Sequence, residues 1–291
     1  DSSSSGQPFS LTLASGESIE ADICVLAIGN VLRKGVGACS TRALLREPYR
    51  TESYNDLGEI KELFILGSSL TAVDAILESE GRGFHGHYSV ISRNGPFPLP
   101  HEAPSKLPQA SLPTAWETPG SALALLKTIR KASRACGSSQ PVFDAMRPGI
   151  QRMWLNLPIS ERRAFLRHLR PFWEIHRHRI PLDHLRVIQT LLDAGRLSIR
   201  AGRVVQIAQS EAVIAPRGAQ SARETIHFDV GFMCAGPEGD VTRIEHPLIE
   251  SLLAQELIRP GKLALGLDTS GASSEPHFFV VGPLQKEALW E

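Results

Sequence analysis

The sequence predicts an α/β fold with a parallel sheet at its centre, for three reasons. The apolar run 62–66 lacks alternating polar residues, which is typical of a parallel strand covered on both faces. Apolar residues then recur with a helical period over 70–79. A second strand-like run follows at 88–91. Strand, crossover helix and strand together form a βαβ unit, in which the two strands are parallel.

Further strands and helices are predicted on both sides of this unit. A β-hairpin is expected from 9–14 and 19–28, which flank a turn at Ser15 and Gly16. The proline-rich stretch 95–115 is predicted to be irregular. Helices are expected after it, near 120–135, 141–156, 160–178 and 183–194. Later strands are predicted at 197–207, 211–215, 225–234 and 277–281.

The composition excludes several classes of partner. Among 291 residues, 31 are Lys or Arg and 31 are Asp or Glu, so no net charge attracts nucleic acid or an anionic membrane. No apolar run reaches the roughly 18 residues of a membrane helix. The four cysteines form no CxxC pair and have no metal-ligand spacing. A reducing cytoplasm, no metal and a small-molecule substrate are therefore expected, whereas the oligomeric state is not predicted.

The segment ELFILGSSLTAVDAI, residues 62–76, gives the sharpest functional signal. A strand, a glycine turn and a helix start can place a pyrophosphate on helix N–H groups. Gly67 supplies the tight turn, while Ser69 and Ala72 occupy the second and third small-residue positions of a G-x-G-x-x-G/A pattern. The predicted phosphate-binding residues are Gly67, Ser68, Ser69, Leu70, Thr71 and Ala72.

A purely structural interpretation of this glycine turn remains open from the motif alone. Gly67 would then only end a buried strand, with Ser68 or Ser69 as the helix N-cap. The end of the next strand favours a nucleotide site, because Ser92 and Arg93 stand where an NAD-specific fold has an acidic residue. A serine and an arginine suit a 2′-phosphate, so we expect NADPH in preference to NADH.

The remaining polar candidates have weaker signals. His176 to Arg179 forms a basic segment that either binds an anionic group or is a solvated helix end. His101 lies beyond the second strand, where it is either near a nicotinamide ring or on the surface. No paired-carboxylate or Ser/His/Asp arrangement stands out, so no catalytic side chain is assigned.

Two segments echo one another and suggest a two-domain arrangement. Residues 19–30 and 226–237 each have an Asp, an apolar run and a closing glycine, as expected for two crossings between domains. The chain opens on Asp1, so we expect it to be a piece of a longer polypeptide.

In their order along the chain, several segments resemble one known family. They are LAIGN, LGSSLTAVD, VISRNGPFPLPH, FWEIHRHRIP, CAGPEGD and VVGPLQKEALWE. This set is similar to the bacterial FAD/NAD(P)-binding proteins that are related to flavin monooxygenases and N-hydroxylases. Relatives often carry glycine at the position of Ser69 and arginine at that of Asn94, so this chain departs from the pattern there.

The resemblance implies a flavoprotein with two dinucleotide-binding domains, a Rossmann-like NADPH domain and parts of an FAD domain. An N-terminal FAD-binding βαβ unit would lie outside this chain. Gly29, Asn30 and Gly236 would lie in the hinge strands, and Gly282 with Pro283 in a late FAD-contacting turn. The implied domains are residues 1–30, residues 31–236 with a helical insertion at about 95–195, and residues 237–291.

The predicted function is an NAD(P)H-dependent oxidoreductase that contains FAD, of which a hydroxylating monooxygenase is one form. NADPH would deliver hydride to the flavin, and the cofactor rather than a side chain would carry the redox chemistry. The alternative is a non-catalytic NADP-binding or regulatory module.

Overall fold

The computed structural model describes most of the chain, as two compact units. One unit joins the described residues up to Leu32 with those from Pro237 onward, and the other extends from Arg33 to Gly236. The described residues are 9–33, 35–36, 39–40, 45–103, 110–218, 222–268 and 275–290.

The elements have the following bounds. The strands are β1 (Phe9–Thr12), β2 (Ser18–Ala21), β3 (Cys24–Leu26), β4 (Gly35–Val36), β5 (Cys39–Ser40), β6 (Glu62–Leu66), β7 (His87–Ser92), β8 (Leu197–Ala208), β9 (Glu211–Pro216), β10 (Glu224–His227), β11 (Val230–Met233) and β12 (Phe278–Val280). The α-helices are α1 (Leu70–Gly81), α2 (Ala122–Cys136), α3 (Gln140–Met146), α4 (Ile150–Asn156), α5 (Ile159–His168), α6 (Arg170–Arg177), α7 (Leu182–Asp193) and α8 (Pro247–Ala254).

The larger unit contains a sheet with the strand order β10-β9-β8-β7-β6-β11. β6 pairs in parallel with β7 on one side and with β11 on the other. β7 and β8 are also parallel. β9 pairs antiparallel with β8, and β10 pairs antiparallel with β9 at the edge of the sheet. The α/β fold with a parallel sheet is thus confirmed, and the order of the strands reverses at β6.

Alternate side chains of β6 enter two different apolar cores, because successive residues of a strand point to opposite faces. Leu63 and Ile65 join a cluster that includes Ala72 and Ile76 of α1. Phe64 and Leu66 join the cluster on the other face. Burial on both faces explains why 62–66 is apolar without alternation, and it makes β6 the centre of the unit.

The single strand predicted at 225–234 is wrong, since two strands occupy it. β10 ends at His227 and β11 begins at Val230, at opposite edges of the sheet. Between them, Asp229 Oδ2 accepts the backbone N–H groups of Lys61 and Glu62, each at 2.9 Å. These two amides, that of Glu62 first, hold the pKa of Asp229 below its usual range. The carboxylate therefore holds the segment between β10 and β11 against the start of β6.

Two of the predicted long helices are each divided in the structure. The range 141–156 contains α3 and α4, because the 3-10 turn Arg147–Gly149 interrupts it at Pro148. The range 160–178 contains α5 and α6, which begins with Pro171 in its first turn. Phe165 packs edge to face against Trp154 and Trp173, so α4, α5 and α6 share one aromatic core.

The smaller unit has a different local topology from the predicted hairpin. β1 and β2 form that hairpin, but the predicted second arm 19–28 bends after Ala21. β3 instead pairs in parallel with β12, and Cys24 N–H donates to the His277 carbonyl at 3.0 Å. α8, which the sequence pattern did not predict, packs Ile249 into the same core as Leu26.

Gly67 lies in a narrow gap between the ends of neighbouring strands. Its N–H donates to the Ile91 carbonyl at 2.8 Å, and its φ is +116°. A Cβ at this position would lie only 2.1 Å from the carbonyl oxygen of Cys234, just after β11. Any side chain would force β6 and β11 apart, so the fold itself requires glycine here.

We expect Gly67→Ala to lower the free energy of unfolding by at least about 3 kcal/mol, since backbone strain and overpacking each cost about 1–3 kcal/mol. Gly137 is the matched control, because it has φ +71° at the end of α2 and nothing within 4 Å of a Cβ. Gly137→Ala should cost only about 1–2 kcal/mol. Urea denaturation of both variants measures the difference, and equal losses would contradict the close approach.

Candidate functional site

The candidate site lies at the carboxyl end of β6, where the order of the strands reverses. In open parallel sheets, ligands bind outside the carboxyl ends of the strands at such a point. β7 and β11 end on either side of β6 in the same direction, and α1 starts directly after the glycine turn. The predicted residues Gly67 to Ala72 and Ser92 to Arg93 therefore lie along one edge of the sheet.

The first turn of α1 leaves backbone donors for an anion. Ser69 occupies the N-cap position with extended backbone, but its side chain makes no capping hydrogen bond. The first turn contains no acidic residue, and Ala72 is fully buried. Because the first N–H groups of a helix have no partner within the helix, those of Leu70 and Thr71 suit a phosphate oxygen.

Ser68 is directed away from this helix start. Its Oγ lies 2.7 Å from Ser92 Oγ and 2.6 Å from the Pro96 carbonyl oxygen. Ser92 Oγ in turn accepts the Gly95 N–H at 3.0 Å. The two serines thus tie the loop after β7, which carries the exposed Arg93, to the glycine turn.

Tyr49 lies at the candidate site, although no sequence pattern predicts it. Its hydroxyl lies 2.9 Å from Thr71 Oγ1, and its side chain is largely exposed. The segment before it is held beside β11, because Arg46 N–H donates to the Gly231 carbonyl at 2.7 Å. The tyrosine therefore orients the hydroxyl of Thr71 at the start of α1.

Cys234 closes the other side of the glycine turn. Its thiol is buried and donates to the Thr71 carbonyl at 3.7 Å. Burial raises the pKa of this thiol far above its usual range, so it stays protonated at neutral pH. Cys234 is thus a buried thiol that packs against the first turn of α1.

The smaller unit brings together the other predicted residues after its parallel strands. Val281 N–H donates to the Leu26 carbonyl at 2.9 Å, so the segments with Gly29 and Gly282 leave the same end of the β3–β12 pair. Gly282 has φ +92° and ψ −153°, a conformation that is essentially restricted to glycine. Asn30 and Pro283 lie beside these glycines, at the carboxyl ends of β3 and β12.

The two points where the chain passes between the units lie side by side. Leu32 and Pro237 form an antiparallel bridge, and Glu238 N–H donates to the Val31 carbonyl at 2.7 Å. Gly236 is the last residue of the larger unit. Gly236 therefore directly precedes one crossing, whereas the predicted hinge residues Gly29 and Asn30 lie a few residues before the other.

The basic segment from His176 to Arg179 is used inside the helical insertion. Arg179 is almost buried and donates to Ser139 Oγ and the Pro100 carbonyl, both at 2.8 Å. His176 Nδ1 lies 2.8 Å from the same Ser139 Oγ, and its ring stacks on Phe143. These two side chains are occupied by the fold, which leaves no support for the hypothesis that they bind an external anion.

Two further features concern ligands and membranes. Within the residues that the structure describes, no helix has the length and apolar content needed to span a membrane. In the same residues, no group of three or more His, Cys, Asp or Glu side chains is arranged to hold a metal ion.

His101 is exposed, and its backbone N–H donates to the Ile180 carbonyl at 2.8 Å.

The chain shares its α/β fold with two solved monooxygenases. One is the cadaverine monooxygenase DfoA of desferrioxamine biosynthesis from Erwinia amylovora, bound to FAD, with a TM-score of 0.55 and 14% identity over 94% of this chain and 57% of that chain. Another is L-lysine 6-monooxygenase from Pseudomonas syringae, with a TM-score of 0.55 and 15% identity over 97% of this chain and 64% of that chain.

The extent of this likeness is limited to the fold. The chain spans less than two thirds of the length of either monooxygenase. No protein-family model and no curated protein matches it.

We expect stability to fall as the pH is lowered below about 6.5, the usual pKa of histidine. Burial lowers the pKa of His176, and the Arg179 guanidinium adds to this effect. As the pH falls, the unfolded chain therefore takes up the proton before the folded one. The contribution of His176 to stability is fully present above the unfolded-state pKa and is lost as the pH falls through the folded-state pKa.

Thermal unfolding between pH 7.5 and 5 tests this expectation. His176→Gln should flatten the pH dependence, whereas the control His168→Gln, at an exposed position at the end of α5, should leave it unchanged. A His176→Gln protein with the wild-type slope would contradict the assignment.

Proposed function

We propose that this chain is the NADPH-binding part, together with some of the FAD-binding part, of an FAD-containing oxidoreductase. One observation carries the proposal. A glycine turn at the reversal of the strand order leads into a helix whose N-terminus has neither a side-chain cap nor an acidic residue in its first turn. This arrangement fits a pyrophosphate, which is anionic and accepts backbone N–H groups.

NADPH fits the residues around this turn. Amides of Leu70 and Thr71 would hold the pyrophosphate, and the hydroxyl of Thr71, oriented by Tyr49, would donate to it. Arg93 follows β7, the strand whose end receives the adenosine ribose in folds of this kind. A guanidinium there favours a 2′-phosphate, whereas a carboxylate would favour the free hydroxyls of NADH.

The smaller unit supports a flavin domain that this chain completes only in part. Parallel sheets are normally covered on both faces. Here Leu26 and Phe278 are buried on one face of the β3–β12 pair, while Val25 and Phe279 on the other are 54% and 48% exposed. An additional layer of polypeptide would cover this apolar face, and we place the main FAD-binding βαβ unit there.

A bound flavin would supply the redox chemistry between NADPH and a second substrate. The residues of this chain would bind and orient the dinucleotide. The solved monooxygenases of this fold favour hydroxylation of a small amine as the overall reaction, since their substrates are cadaverine and lysine.

Purification of the complete gene product tests the oxidoreductase assignment. We expect a yellow protein with the absorbance of bound flavin, which is bleached anaerobically by NADPH faster than by NADH. A colourless protein that binds NADPH but no flavin would contradict the oxidoreductase and leave the non-catalytic NADP-binding module.

Substitution of Arg93 tests the choice of dinucleotide. Arg93→Ala should weaken NADPH binding by about 10- to 100-fold, since a hydrogen bond to a charged group contributes about 1.5–3 kcal/mol. NADH binding should change little, because NADH lacks the 2′-phosphate. Calorimetric titration measures both affinities, and equal losses for the two dinucleotides would contradict a phosphate contact by Arg93.

A further inference from the structure

A second arginine lies at the end of β7, although it comes from a distant part of the sequence. Arg217 follows β9, and its Nη1 donates to Asn94 Oδ1 at 3.0 Å. Asn94 directly follows Arg93, so the guanidinium of Arg217 meets the loop that carries the proposed 2′-phosphate ligand. The sequence pattern could not reveal this, because 123 positions separate Arg217 from Asn94.

The backbone holds Arg217 in this position. Its N–H donates to the Ala201 carbonyl at 3.1 Å, and Ala201 pairs with Ser92 across β7 and β8. Gly95 packs against the same residue, since a Cβ on Gly95 would lie 3.1 Å from Ala201 Cβ. The ends of β7 and β9 thus lie on either side of Ala201 in β8. An arginine side chain at the end of β9 is long enough to span this one strand.

The charge of Arg217 is not neutralised in the structure. Both Arg93 and Arg217 are exposed, and neither forms an ion pair with a carboxylate in the part of the chain that is described. Arg200, on β8, differs, because its Nη1 lies 3.0 Å from Glu224 Oε2. The bond to the neutral Asn94 uses one of the five N–H donors of Arg217 and orients the others without cancelling their charge.

From this geometry we propose that Arg217 is the second guanidinium ligand of the 2′-phosphate and that Asn94 is its positioning residue. The inference rests on the proposed NADPH function and specifies how the site distinguishes the two dinucleotides. A phosphate monoester carries a charge of about −1.5 to −2 at neutral pH, which two arginines match better than one.

The test compares four proteins: the wild type, Arg217→Ala, Asn94→Ala and Arg130→Ala. Arg130 is an exposed arginine on α2 and serves as the control for loss of one positive charge. NADPH and NADH are titrated against each protein, and 2′,5′-ADP and 5′-AMP serve as smaller probes that differ only in the 2′-phosphate.

Arg217→Ala should weaken NADPH and 2′,5′-ADP by about 10-fold or more, the effect of losing one charge-assisted hydrogen bond. NADH and 5′-AMP should bind as they do to the wild type. Asn94→Ala should produce a smaller loss of the same selective kind, and Arg130→Ala should produce none. A purely structural role for Arg217 would instead weaken all four ligands together.

The outcomes separate this inference from the proposed function. NADPH selectivity that depends on Arg93 but survives in Arg217→Ala would overturn the role of Arg217 and leave the NADPH function intact. A wild-type protein that binds none of the four ligands would overturn both.

Discussion

The close approach of two strand ends, at Gly67 and Cys234, is the constraint on which the rest of the site depends. The absence of a side chain at Gly67 lets β6 and β11 lie side by side, with the Cys234 carbonyl against the glycine and its thiol on the first turn of α1. That approach fixes the start of the helix at the point where the strand order reverses. If the chain binds NADPH as proposed, nucleotide affinity is coupled to fold stability, because the same turn would serve both.

Local patterns predicted the elements that local physics determines. The apolar run of β6 reflects burial on both faces of the strand, and the helical period of α1 reflects burial on one face of the helix. The predicted positions of both elements are confirmed. The break at Asp229 was missed, because its partners lie 167 and 168 positions away. Tyr49 and Arg217 were missed for the same reason, since only tertiary contacts bring them to the site.

The two units illustrate different degrees of completeness. The larger unit buries both faces of its central strand, whereas the smaller one leaves an apolar face of its parallel pair exposed. Under the proposed function, a flavin domain completed by additional polypeptide would account for this difference. Under that proposal, this chain would determine the preference for NADPH over NADH, and the added segment would make most of the contacts with the flavin.

Amide hydrogen exchange across residues 62–76, with and without saturating NADPH, tests whether the start of α1 binds the pyrophosphate. We expect selective protection of the amides of Leu70 and Thr71 at the start of α1, with a smaller change for NADH. NADPH that binds tightly while these amides exchange as in the free protein would contradict a pyrophosphate on this helix. The glycine turn would then serve only the packing of β6 against β11.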